Sequence, residues 1–331
     1  ASSFLTRRSM RFRLLLATLA GVLPVVLVLI VLFIGVYAWP AIRFNGMGFV
    51  VRDFWSLGNL YANPITVGGV SVQPGAQYGI LFLIVGTLLT TLIAMVIALP
   101  IGVGAAVFLA EAVPGRLRLW LSIFVELLAA IPSVVYGLWG YVVLIPFLGH
   151  HLYPAMARLL GFLPPFGGAT GSGYGLLTAG LVLSLMIVPL IAVTLRDALV
   201  AQPIAVREAA MALGATRFEM VWRALLPATR LALVGAAILA TGRALGETMA
   251  VLMVSGNALN YLPHNIYAPV TTMASFIVSQ LDSALQDPTE MAVRSLAEIA
   301  LLLALIAIAV NALARVLLRA GTVRGRHAGA F

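Results

Sequence analysis

The chain has 331 residues, of which 62% are hydrophobic and only 9% charged, with a mean hydropathy of +1.08. That composition excludes a soluble globular domain of this length and describes an integral membrane protein. The net charge is +9 and there is neither lysine nor cysteine. This excludes disulfides, thiolate metal sites and cysteine nucleophiles, and also a P-loop, whose lysine holds the β- and γ-phosphates. The glycine-rich run 167–173 is therefore read as a connection between spans.

In chain order, Arg7, Arg8, Arg11 and Arg13 precede an apolar run over 14–39. It is about twice as long as the apolar part of a signal peptide and predicts a retained first span with a cytoplasmic N-terminus. Residues 40–78, rich in Gly, Asn, Pro and aromatics, are expected outside, with short strands around 65–72. A second span covers 78–103, and the chain turns round between Glu111 and Arg118. A third covers 120–148 and is interrupted at Ile131-Pro132-Ser133. The proline removes a donor and kinks the helix, and the freed carbonyls either line a cavity or mark a purely structural bend. Glu126, near the inner end of this span, is an interface-paired carboxylate or a pathway residue. His150 and His151 fall in an outer loop, 149–174, without the further ligands a metal site needs. A fourth span covers 175–195.

Residues 196–230 break the membrane pattern with Arg196, Asp197, Arg207, Glu208, Arg217, Glu219, Arg223 and Arg230. Pro203 starts a short helix that stops at Gly214. Thr216-Arg217-Phe218-Glu219 is a capping box opening a second helix, with Phe218, Val221, Trp222 and Leu225 as its apolar face and Pro227 as its end. The two lie against the membrane as a helix-turn-helix.

The fifth span, 231–255, carries Gly242-Arg243-Ala244-Leu245-Gly246-Glu247-Thr248-Met249. A helix of this length reaches roughly 37 Å at ~1.5 Å per residue, enough for a ~30 Å hydrocarbon core. Arg243 then lies near the midplane, where a charge costs roughly 2.5–3.5 kcal/mol even on lenient scales. Glu247 follows at i+4 on the same face. The two either neutralise each other as a packing device or line a polar path that meets an anion. Residues 256–292 are an outer loop whose apolar middle, 270–281, dips into the membrane or packs along the bundle. A sixth span, 292–318, holds Glu298 near its outer end, and a basic tail, 319–331, follows. With both termini inside, 15 of the 20 arginines lie on the inner side and four outside, the positive-inside pattern.

The cytoplasmic piece reads Arg207-Glu208-Ala209-Ala210, then Gly214, then Leu226-Pro227. It resembles the EAA loop of ABC-importer permeases, with Ala224 where that family usually has Ile. Ile131-Pro132-Ser133-Val134-Val135-Tyr136-Gly137-Leu138-Trp139-Gly140 and the stretch from Gly242 to Val251 look like the phosphate-specific permeases of the PstC type. The resemblance covers nearly everything after Tyr78. It implies an all-α polytopic type I ABC importer permease with about six transmembrane helices, in a bacterial plasma membrane. Residues 1–78 would form an anchor helix and outer segment, 79–318 the permease domain with the coupling loop 196–230, and 319–331 the tail. Implied partners are a PstA-like second permease, two PstB-like ATPases and a PstS-like external phosphate-binding protein, besides membrane lipid; nucleic acid is not among them. No cofactor is expected in this chain and no metal, since ATP and Mg belong to the ATPase, and the chain itself is not an enzyme.

Glu208, Ala209, Ala210, Gly214 and Phe218 are expected at the ATPase. Arg243, Glu247, Thr248 and Ser133 are expected on the substrate path. Glu247 either accepts a hydrogen bond from a protonated phosphate oxygen, which sulfate lacks, or only positions Arg243. Competing readings are a permease for sulfate or molybdate, a proton-coupled transporter using Glu126, Glu247 and Glu298, and a structural scaffold.

Overall fold

The computed structural model describes residues 2–327, so the last four residues of the expected basic tail, 328–331, lie outside the described residues. The long apolar runs become helices because only a helix satisfies its own backbone in a membrane. The helices are α1 (Ser2–Asn45), α2 (Leu81–Ala112), α3 (Gly115–Ala130), α4 (Ser133–Leu160), α5 (Leu176–Val200), α6 (Ile204–Ala212), α7 (Arg217–Ala228), α8 (Arg230–Leu245), α9 (Met249–Val254), α10 (Met273–Ala284) and α11 (Met291–His327). Five contain stretches long and apolar enough to cross a membrane: Thr18–Asn45, Leu81–Ala112, Ser133–Leu160, Leu176–Val200 and Met291–Leu313. A sixth is formed if α7 and α8, bent by 71° at Thr229, count as one span.

Several expected boundaries move. The third span is two helices, α3 and α4, separated at Ile131-Pro132. α4 runs on to Leu160, so His150 and His151 lie within it and not in a loop. α5 continues to Val200 and takes in Arg196 and Asp197. The fifth span is broken: α8 ends at Leu245, and α9 begins only at Met249. Gly246 is the residue least able to hold a helix against its own backbone entropy.

Pro227 does not end α7, which continues to Ala228. A π-helical turn, Met220–Leu225, precedes it. A further π turn, Phe108–Ala112, closes α2, and the arrangement seen at Pro227 recurs at Gly140–Leu144 before Pro146 and Leu148–Leu152 before Pro154. An i→i+5 turn makes room for the pyrrolidine ring and the missing N–H, so the backbone absorbs the proline without a sharp kink. In α7 it also rotates the apolar face. Met220, Val221, Leu225 and Leu226 are buried, while Phe218 and Trp222 are 70% and 54% exposed.

The central core is α2 against α5, with α8 across both. Ala94, Ala98, Ala179, Ala236 and Ala240 are fully buried there, and such small residues let membrane helices approach closely. α1 leans on α11, where the Asn45 amide donates to Glu298 at 2.7 Å.

The segment between α1 and α2 forms two antiparallel strand pairs, β1 (Trp55–Ser56) with β4 (Gln77–Tyr78) and β2 (Ile65–Val67) with β3 (Val70–Val72). Trp55, Tyr78, Phe82 and Phe276 make an aromatic cluster, with the Trp55 ring 4.9 Å from Tyr78 and 5.0 Å from Phe276. Burial, with Asp287 nearby, pushes the Tyr78 hydroxyl well above its ordinary range, so it stays neutral. The apolar stretch expected over 270–281 is the helix α10, which packs along the bundle against α11. Its N-terminus is a Thr272–Ser275 capping box. Phe276 is 1% exposed at the centre of this cluster. Phe276→Ala is expected to cost about 3–5 kcal/mol and Phe276→Leu distinctly less, measured by thermal unfolding of the purified protein.

Candidate functional site

Two helix starts meet in the middle of the chain's most polar membrane stretch. α4 begins at Ser133 directly after Pro132, and α9 begins at Met249 after the break at 246–248. Their first turns pack together. A Cβ added at Gly137 would stand 2.9 Å from the Ala250 Cα and 2.9 Å from the Met253 sulfur, so only glycine allows the approach. Gly140, further along α4, faces Val254. The two helices therefore run the same way. One turn back from Gly137 and Ala250 lie Ser133 on one side and the break on the other.

Arg243 stands in the last turn of α8 with its side chain exposed. Among the described residues it has no ion pair and no side-chain hydrogen bond. Its charge reaches Tyr136 on α4. Glu247 is not on the same helical face one turn later, because the helix has already ended. Its Oε1 instead accepts from the Ala250 N–H at 3.4 Å, at the start of α9. The self-neutralising pair read from an unbroken helix is thereby corrected. Thr248 lies in the break and its hydroxyl donates to the Gly246 carbonyl at 3.3 Å.

Sequence reasoning missed Tyr136. Pro132 has no N–H for the Leu128 carbonyl four residues before it. The Tyr136 hydroxyl donates to that carbonyl at 2.9 Å, joined by the Ile131 N–H at 3.3 Å. A tyrosine one turn after an intramembrane proline was the available signal. Asn311 on α11 was also missed: its Oδ1 is buried without a partner, and its Nδ2 is 4.0 Å from where a Cβ on Gly242 would stand.

The other acids have partners elsewhere. Glu126 pairs with Arg196 at 3.0 Å, which in turn holds Asp197 at 2.6 Å. Glu298 is held by Asn45.

At one end of the bundle, α6 and α7 form the expected helix-turn-helix. Gly214 has φ +82°. The Ala215 N–H reaches the Ala210 carbonyl at 3.2 Å and the Gly214 N–H the Met211 carbonyl at 2.9 Å, a Schellman closure. The Thr216–Glu219 capping box is present with both bonds. Glu208, Ala209, Gly214 and Phe218 face outward, whereas Ala210 turns in against the cluster of Leu195, Leu199 and Met220. Ile204, Met211 and Leu213 add an outward apolar surface, 70%, 51% and 89% exposed. A groove of about 1270 Å³ runs beside them between α2 and α7, lined by Val103, Val107, Phe218 and Trp222 among others.

The family described as binding-protein-dependent transport system inner membrane component matches residues 98–321. The chain is 48% identical over 285 residues to the phosphate transport system permease protein PstC 1 of Mycobacterium tuberculosis, covering 85% of this chain and 84% of that protein. It is 37% identical over 284 residues to the phosphate transport system permease protein PstC of Pasteurella multocida, covering 85% and 82%. Among solved structures, a chain of the MetNI methionine ABC transporter in an inward-facing conformation aligns with a TM-score of 0.48 and 21% identity, covering 73% of this chain and 94% of that one.

Because Arg243 and Glu247 share no contact, Arg243→Gln and Glu247→Gln are expected to change thermal stability additively, within about 0.5 kcal/mol. A coupling of about 1 kcal/mol or more in the double-mutant cycle would restore the paired reading.

Proposed function

The chain belongs to the family of binding-protein-dependent transport system inner membrane components, and on that premise we propose that it is the permease subunit through which an ATP-driven importer passes inorganic phosphate. The observation that carries this reading is Arg243, a cation at a helix break in a membrane bundle that has no carboxylate partner among the described residues. Such a charge is free to make charge-assisted, bidentate hydrogen bonds to a passing oxyanion. Glu247 accepts from a protonated phosphate oxygen, a proton that sulfate lacks at neutral pH, and this favours phosphate over sulfate or molybdate. Ser133 and Thr248 supply hydroxyls at the same level.

The surface around this site is apolar and open: Val134, Leu138, Trp139 and Met249 are 41–52% exposed. A second, PstA-like permease covers it and completes the path. The transporter has two PstB-like ATPases, carrying ATP and Mg, and one of them docks on α6 and α7 through Glu208, Ala209, Gly214 and Phe218, with Ala210 shaping that surface from beneath. A PstS-like protein delivers phosphate from outside. The arginine asymmetry supports a bacterial plasma-membrane orientation with the α6–α7 end and both termini in the cytoplasm. A proton-coupled mechanism is disfavoured because Glu126 and Glu298 are engaged by Arg196 and Asn45 on separate elements.

Labelled-phosphate uptake, normalised to inserted protein, tests the path. Arg243→Gln should lower uptake roughly 10- to 100-fold, the worth of a hydrogen bond to a charged group. Arg243→Lys should retain part, and Glu247→Gln should not rescue Arg243→Gln. Rescue to near the parent rate would refute the substrate contact. On the docking side, Gly214→Val should cost about 1–2 kcal/mol from its left-handed backbone alone, since nothing lies near its Cβ. The ATPase recovered by co-purification should fall, and Gly214→Asn should be milder. For orientation, single cysteines at Ser71, Ser172 and Ala258 should label with an impermeant thiol reagent in intact cells, and one at Ala215 should not.

A further inference from the structure

Arg207 precedes the docking residue Glu208 but faces the other way. Its Nε and Nη2 donate to Glu111 Oε1 at 3.2 and 2.8 Å, and Nε also reaches Oε2 at 3.4 Å. Nη2 donates to the Leu199 carbonyl at 2.8 Å and Nη1 to the Gln202 carbonyl at 3.0 Å. Every guanidinium nitrogen is used. One side chain thus ties its own helix α6 to three places: the end of α2 that carries Glu111, the Leu199 carbonyl near the end of α5, and the Gln202 carbonyl of the α5–α6 connection. Both charged side chains are about four-fifths covered.

Little else ties α6 down. None of its nine residues is fully buried. Val206 and Ala210 pack partly against the neighbouring cluster, and the remaining apolar side chains point outward. Glu111 reaches Arg207 from a π-helical turn, Phe108–Ala112, which stands just before Pro114. That turn re-aims the carboxylate relative to an α-helical register. Beyond the pair, α2 and α5 pack along one another, and α8, which carries Arg243 in its last turn, packs on both. A contiguous chain of contacts therefore runs from the outward face of α6 through one ion pair to the helix that presents Arg243.

We propose that the Arg207–Glu111 pair is the strut through which movement of α6 is delivered to α2 and α5, and hence to α8, making both residues positioning residues for translocation. The proposal rests on reading α6 and α7 as the ATPase-docking surface. A carboxylate and a guanidinium joined by several bonds resist being pulled apart in any direction, whereas the loose apolar contacts of Val206 and Ala210 can slide. With the pair weakened, the ATPase still binds and still hydrolyses ATP, but α6 moves without the spans.

The test uses the whole transporter in proteoliposomes: this chain with its companion permease, the ATPase and the external binding protein. It reads three quantities: ATPase retained on co-purification, ATP hydrolysis stimulated by phosphate-loaded binding protein, and phosphate imported per ATP. In Glu111→Gln the first two should stay within about twofold, and the third should fall about tenfold or more. Arg207→Lys keeps the charge but cannot span all the acceptors, and should move the ratio the same way by less. An unchanged ratio in Glu111→Gln would overturn the strut, and Arg207→Lys decides it in the same way should Glu111→Gln fail to fold. Loss of bound ATPase in parallel with uptake in both variants would also overturn it, because the pair would then only shape the docking surface. Failure of the docking reading has its own signature: Gly214→Val would retain its ATPase.

Discussion

Inside a bilayer, a backbone group released from its helix has no water to turn to, so each interruption must be repaired on the spot. The chain meets this constraint at every irregular point described above. Tyr136 supplies the donor that Pro132 lacks, Glu247 accepts from the start of α9, and three π-helical turns accommodate Pro146, Pro154 and Pro227. Two of these interruptions fall at one level of the bundle, where Ser133 and the 246–248 break lie side by side. Arg243 stands in the last turn of its helix there. The polar site is therefore a product of where the helices stop, and the regular helices around it remain free to pack on apolar and small side chains.

The division of labour between rigid and open faces follows from side-chain size. α2, α5 and α8 meet over alanines, which bring helices close and leave few rotamers to rearrange. The opposite face of α4, with Val134, Leu138 and Trp139, is large, apolar and uncovered. A rigid inner trio and an uncovered outer face are what a subunit needs if its path is to be finished by a second chain.

Much of this was legible in the sequence because the signals were local. Pro132 announced the break that starts α4. Gly214 announced a left-handed residue, and Thr216 with Glu219 announced a capping box; all three act within a few residues. The apolar runs announced the spans, and the Gly68-Gly69 pair between valines fits the β2–β3 hairpin. What escaped depended on competition or distance. Gly246 ended a helix that hydropathy alone would continue, and this separated Arg243 from Glu247. The π turn in α7 kept Val221 and Leu225 buried but exchanged Phe218 and Trp222 for Met220 and Leu226, which a 3.6-residue period does not anticipate. Pro227 was read as the end of a helix that in fact continues to Ala228. Glu111 and Arg207 are 96 positions apart, and Glu126 and Arg196 are 70 apart; composition offers no way to choose such partners among 20 arginines.

The bond between Asn45 and Glu298 sets a schedule for making the protein. It joins the end of α1 to α11 across 253 positions. At ordinary synthesis rates of about 5–20 residues per second, roughly 10 to 50 s pass between the two ends of that bond leaving the ribosome. Throughout that interval α1 waits in the lipid with its amide unmatched and its helix partner not yet made. A helix made long before α11 is thus placed only after it, and nascent chains halted before α11 should hold α1 as a free-standing helix beside an otherwise assembled bundle.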